Sequence, residues 1–186
     1  MVPLSTLWLP LVLSAVIVFF ASFVMHMVLP YHRSQLKKVP REDETMAALR
    51  PLAIPPGDYG MPFAGSPAAL KDPAWLEKRS KGPVMLLTVM PNGPYSMGKN
   101  LVQWFVYSLV VSAFSGYIAS RALGPGVDYL AVFRFVGASA FLGYSMALAQ
   151  SSIWAARQWS STAISMFDGL VYALLTAGTF GWLWPR

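Results

Sequence analysis

The sequence predicts an all-α membrane protein: four transmembrane helices, with a Pro-rich cytoplasmic segment of short helices between helices one and two. Three observations lead there. Hydrophobic residues make up 55% of the 186 positions. Charged residues make up only 12%, roughly half of the ~25% usual in a soluble domain. Four apolar stretches reach the roughly 20 residues that a helix needs to cross a hydrocarbon core about 30 Å thick. They are residues 4–29, 101–122, 129–150 and 163–184. In lipid the backbone must satisfy its own polar groups, so each stretch reads as an α-helix.

The first stretch, 4–29, contains no Lys, Arg, Asp or Glu. It lacks the basic n-region of a secretory signal and is longer than the 7–15-residue apolar core of one. It therefore reads as a retained helix.

Residues 30–100 carry ten of the fourteen Lys and Arg and eleven of the fifteen prolines. The basic excess places this segment in the cytoplasm by the positive-inside rule, so both termini lie outside. Trp8, Tyr129, Trp182 and Trp184 then fall at the outer interface. Tyr31, Trp104, Trp154 and Trp159 fall at the inner one. The prolines exclude long helices and regular sheet. Two short helices remain, 42–49 and one that starts at Asp72-Pro73, an N-cap followed by proline at the first helical position. The apolar run 84–90 is too short to cross. It is expected to lie at the interface or under the bundle, or to form a re-entrant loop. Residues 1–186 thus read as a single membrane domain, with 30–100 not independent of it.

The net charge of +6 does not point to nucleic acid, because the basic residues are interleaved with acidic ones and no nucleic-acid motif is present. The expected partners are the lipid bilayer and either a second copy of the chain or a larger membrane complex. Lys37, Lys38 and Arg41 suit anionic lipid. Cys is absent, which excludes disulfides, thiolate metal ligands and Cys nucleophiles. With two His and no Cys, no metal site and no cofactor are expected. Met25-His26-Met27 has soft donors, but these leave a helix in different directions and read as ordinary packing.

Helix four carries Gly169, Ala173, Ala177 and Gly181 at a constant four-residue spacing, which forms one smooth seam. Ser112, Gly116 and Ser120 on helix two and Ser139, Gly143 and Ala147 on helix three repeat the pattern. Such seams let helices approach closely in lipid. They serve either the packing of one chain or contact with another.

Three ionisable residues fall within the spans: His26, Arg134 and Asp168. Ionisable groups in a bilayer are costly and are paired or functional. His26 and Asp168 both lie roughly 5–8 Å below the inner interface, at 1.5 Å of rise per residue. Arg134 lies in the other leaflet, where it is expected to snorkel to outer headgroups or to cap helix ends. His26 and Asp168 are therefore expected to share a polar cluster with Gln103, Gln150 and Tyr172. The cluster is either a hydrogen-bonded clasp or a proton- or solute-binding pocket. No Ser-His-Asp set, phosphate loop or zinc motif is present, so no catalytic residue is assigned.

Trp154 to Arg157, Trp159, Asp168-Gly169, Tyr172, Gly178 and Trp184 resemble the last helix pair of small uncharacterised bacterial membrane proteins grouped as a domain of unknown function. Tyr31-His32-Arg33-Ser34 and Met97-Gly98-Lys99-Asn100 also read like signatures of such a family. The resemblance implies a four-helix protein of the bacterial inner membrane and no activity. Three function classes stay open. First stands a non-catalytic scaffold or accessory subunit of a membrane complex. The others are a small-solute or proton-coupled carrier acting as an oligomer, and a membrane-embedded enzyme using the His/Asp pair.

Overall fold

The computed structural model describes residues 1–186, with Ser34 described by its backbone alone. It is mostly helical, and four of its helices are long and apolar enough to cross a membrane: Leu4–Val28, Gly98–Ala122, Tyr129–Trp154 and Trp159–Trp182. The chain divides into two compact units. Residues 1–36 and 96–186 form one unit, and 37–95 the other.

In the larger unit, a 3-10 turn at Leu4–Leu7 leads into α1, Trp8–Phe23. Pro10 is tolerated there because the first turn has no intrahelical N–H bond to lose. The span closes with a π-helical turn, Val24–Val28, sealed by Leu29 N–H donating to Val24 O at 3.1 Å. Leu29 is extended, as a residue before proline should be. A second 3-10 turn, Pro30–Ser34, follows.

In the smaller unit, α2 is Glu42–Leu49. Strand β1, Gly57–Met61, precedes α3, Pro73–Lys81, whose N-cap Asp72 accepts from Ala74 N–H at 3.0 Å. Strand β2 is Met85–Val89 and pairs antiparallel with β1, Gly57 opposite Val89 and Met61 opposite Met85. This corrects the expectation that the prolines exclude regular sheet, and shows the run 84–90 to be a strand over Met85–Val89. The prolines flank the strands and none falls inside one. The ladder therefore loses no donor. Residues 85–89 also alternate between half-buried and exposed positions, as a half-buried strand requires.

The remaining helices return to the larger unit: α4, Gly98–Ala122; α5, Tyr129–Tyr144; α6, Ala149–Trp154; and α7, Trp159–Trp182. Asp128 caps α5, accepting from Leu130 N–H at 2.9 Å and Ala131 N–H at 3.1 Å. The third span is broken after Tyr144. Ser145 leaves helical geometry and a short 3-10 turn, Met146–Leu148, precedes α6.

The four spans form an antiparallel ring in the order α1, α4, α5, α7, each packed on its two neighbours. Two apolar clusters fill the interior. One, nearer the termini, is built on Leu7, Val132, Val136 and Phe180. The other is built on Val18, Met25, Ala140, Tyr144 and Tyr172. The small-residue seam sets the close approach of α7 to α5. A Cβ on Gly169 would meet Tyr144 O at 2.8 Å, one on Gly181 would meet the Tyr129 ring at 2.7 Å, and one on Gly137 would meet Ala177 Cβ at 3.2 Å. Ala173 is buried beside them. On α4, Ser112, Gly116 and Ser120 are all buried, with Gly116 under the Phe180 ring. On α5 the buried stripe is Val132, Val136, Ala140 and Tyr144. The Ser139-Gly143-Ala147 series lies to its side: Ala147 is exposed, while Gly143 is a close approach to α4, where a Cβ would meet Val111 Cγ1 at 3.0 Å.

Two of the expected interfacial tryptophans turn inward. Trp184 is buried and donates to Gly124 O at 3.0 Å; Trp104 is half-buried and donates to Ser22 Oγ at 2.8 Å. Each finds an acceptor for its indole N–H, which is what makes a buried tryptophan tolerable. Trp8, Trp154, Trp159 and Trp182 stay exposed.

Candidate functional site at Asp168

Asp168 is the candidate site's centre. It lies near the start of α7, and its side chain is only 5% exposed. The turn at Leu29–Pro30 folds the chain back, so that Tyr31 and His32 reach the same carboxylate as His26. Tyr31 Oη donates to Asp168 Oδ1 at 2.6 Å. His32 Nε2 lies 3.0 Å from Asp168 Oδ2, and His26 Nε2 lies 3.9 Å from the same oxygen. The two imidazoles stack, with centroids 4.0 Å apart and planes inclined by 17°. The His32 ring is nearly buried, whereas half of His26 is exposed, so the cluster is open on that side.

The protons can be assigned in part. His26 Nδ1 lies 3.0 Å from Ser22 O. A carbonyl only accepts, so Nδ1 carries the proton. In the neutral ring, Nε2 then presents a lone pair toward Asp168. The contact between His32 and Asp168 does not have the direction of a hydrogen bond, and neither His32 nitrogen has a hydrogen-bond partner among the described residues. Burial, the hydrogen bond to Asp168 and its negative charge push the Tyr31 phenol above its ordinary range. The neutral O–H is therefore the form that holds Oδ1.

The backbone around the site is irregular on two sides. His26 sits in the π-helical turn of the first span. Ser145, at the break in the third span, donates to Met166 O at 2.7 Å, two residues before Asp168.

Of the other residues expected here, Tyr172 lies one turn beyond Asp168 on α7, buried against Trp104 and Tyr144 at 5.6 and 5.7 Å between centroids. Its hydroxyl has no hydrogen-bond partner among the described residues. Gln103 and Gln150 are exposed, and no hydrogen bond ties either to the cluster among the described residues. Their expected place there is corrected. Trp104 takes the inward position beside Gln103, and the break at Ser145 resets the helical phase before Gln150. Arg134 is exposed near the opposite end of the bundle, without an ion pair among the described residues. Met25 belongs to the apolar core and Met27 is exposed, so the soft donors beside His26 do not converge.

His32 and Tyr31 are the members that sequence reasoning missed. The available signal was an aromatic-His pair directly after a proline that ends a helix.

No protein-family profile, curated protein or solved structure matches this chain. The resemblance to the bacterial domain of unknown function therefore rests on the residues quoted for it and on the four apolar helices.

Proposed function

We propose that this chain is a multi-pass integral protein of a bacterial inner membrane that acts as a non-catalytic scaffold or accessory subunit of a membrane complex. Both termini lie outside in this reading, and residues 30–100 face the cytoplasm. The observation that carries it is the closed interior of the bundle. Phe180 packs against Gly116, and α7 lies so close to α5 that a methyl group on Gly169 would press on Tyr144 O and one on Gly181 on the Tyr129 ring. A bundle packed in this way suits association better than conduction. Large apolar side chains such as Phe20, Phe114 and Leu142 point outward for lipid or a partner chain. Affinity purification in mild detergent tests this. A stoichiometric second protein is expected, and recovery of the chain alone or only as a homo-oligomer would overturn it.

A second reading, a small-solute or proton-coupled carrier acting as an oligomer, draws on one further observation. The third span is interrupted beside Asp168 and the first ends there in a π-helical turn, and broken helices are where carriers place their binding sites. Solute uptake into vesicles that hold the purified protein separates the two readings. The third class, an enzyme using His26 and Asp168 as acid and base, rests on that pair alone.

A further inference from the structure

We propose that His26, His32 and Asp168 form a binding site for one divalent transition-metal ion of the zinc class. The inference stands on the cluster alone and not on the scaffold reading.

The donor set is the first ground. Two imidazoles and a carboxylate are borderline donors that suit zinc, cobalt and ferrous iron better than magnesium or calcium, which prefer oxygen alone. The atoms offered by the three side chains all lie within 4.8 Å of one another.

The second ground is spacing. Donors that share one ion at zinc–ligand distances sit about 3–3.5 Å apart, off one another's hydrogen-bonding axes. His32 Nε2 and Asp168 Oδ2 are 3.0 Å apart without hydrogen-bond direction. His26 Nε2 is 3.9 Å from the same oxygen, too long for a hydrogen bond, and the His26 ring, stacked on His32 at 4.0 Å, must tip out of the stack to bring its lone pair onto a shared ion.

The third ground is preparation of the donors. His26 Nδ1–H donates to Ser22 O at 3.0 Å, which leaves the Nε2 lone pair as the ligand. Tyr31 binds Asp168 Oδ1 at 2.6 Å and leaves Oδ2 for the ion. Metal sites recurrently use such outer partners to fix tautomer and orientation. The exposed half of His26 supplies an entry path and leaves room for water in the remaining position. Once bound, the ion clips the end of the first span to the fourth.

The test uses the full chain, purified in detergent through a tag free of histidine and stripped with a chelator. Zinc is titrated against a chromophoric zinc indicator, and cobalt is added separately to read the ligand field. One ion per chain is expected. His32→Ala and Asp168→Asn should each weaken zinc binding at least tenfold, and Tyr31→Phe by about ten- to a hundredfold. Failure to bind zinc, or binding that these variants leave unchanged, would overturn the site. If a variant does not fold, X-ray absorption of the zinc-loaded unaltered chain decides. Two imidazole ligands support the site, and an all-oxygen shell refutes it.

Discussion

His32 Nε2 stands 3.0 Å from Asp168 Oδ2, yet the two side chains do not make a hydrogen bond. The carboxylate is instead held on its other oxygen by Tyr31. A buried carboxylate is costly unless its oxygens are satisfied. Here one oxygen is satisfied by a phenol, and the other faces two imidazoles whose contribution depends on what lies between them. The end of the first span and the start of the fourth therefore depend on the same side chain.

This arrangement predicts a difference between two substitutions at Asp168. Asp168→Asn keeps the shape and an oxygen acceptor for Tyr31. Asp168→Leu removes the acceptor of the Tyr31 hydroxyl and sets an apolar side chain beside the His32 ring. A buried polar group that loses its partner costs ~1–3 kcal/mol. Asp168→Leu should therefore unfold in detergent at a clearly lower temperature than Asp168→Asn, with both metal-free. Matching midpoints would show that the Tyr31 hydrogen bond contributes nothing to stability.

The close approach of α7 to α5 predicts an order among glycine replacements. A methyl group at Gly169 would press on a backbone carbonyl, that of Tyr144, at 2.8 Å. At Gly181 it would press on the ring of Tyr129, which is partly exposed and can turn aside. Overpacking costs typically ~1–3 kcal/mol, and replacing helical glycine by alanine returns up to ~1 kcal/mol. Gly169→Ala should thus destabilise, whereas Gly181→Ala should come out near neutral. Ala177→Leu, at a fully buried position against Gly137, should be worse than either. Thermal unfolding of the three variants in one detergent gives the order, and an Ala177→Leu protein as stable as the parent would mean that the seam faces lipid.

What could be read from the sequence divides along the range of the interactions. The four spans, the helix at 42–49 and the Asp72-Pro73 start follow from local patterns: apolar length, the absence of helix breakers, and a side chain that caps its own neighbours. The β1–β2 ladder was not legible, because Gly57–Met61 has no strand signature until Met85–Val89 lies beside it. Depth along the helices puts His26 and Asp168 at one level, and His26 Nε2 lies 3.9 Å from Asp168 Oδ2. Depth says nothing about rotation, and the helical phase of Gln103 and Gln150 keeps both out of a cluster that lies at their level. His32 was hidden for another reason. Its position depends on the path of the chain after Leu29, which bends back only because Pro30 cannot continue the helix.

The cap of α5 gives a prediction independent of the site. Asp128 satisfies two N–H groups at the start of a span. Losing such a cap costs about 0.5–2 kcal/mol. Asp128→Ala should lower the unfolding midpoint in detergent while leaving zinc binding untouched, since the cap lies at the end of the bundle away from Asp168. Asp128→Asn should recover most of the loss. An equal loss in both variants would mean that charge, not the hydrogen bonds, stabilises this end.

The orientation of the chain is the last prediction. Ten of fourteen Lys and Arg lie in residues 30–100, and Lys/Arg bias in loops sets the sidedness of multi-pass proteins. The chain has no native Cys, so a single introduced thiol reports its own side. Ser66 is exposed and serves for the 30–100 segment. In the link between α4 and α5, Gly126 is a poor choice. Its φ is +73°, where a side chain is strained, and its N–H donates to Pro185 O at 2.9 Å. Pro125, exposed and adjacent, avoids both problems. In intact cells an impermeant thiol reagent should label Pro125→Cys and spare Ser66→Cys until the membrane is permeabilised. The opposite pattern would invert the topology and place the Asp168 cluster on the outer side.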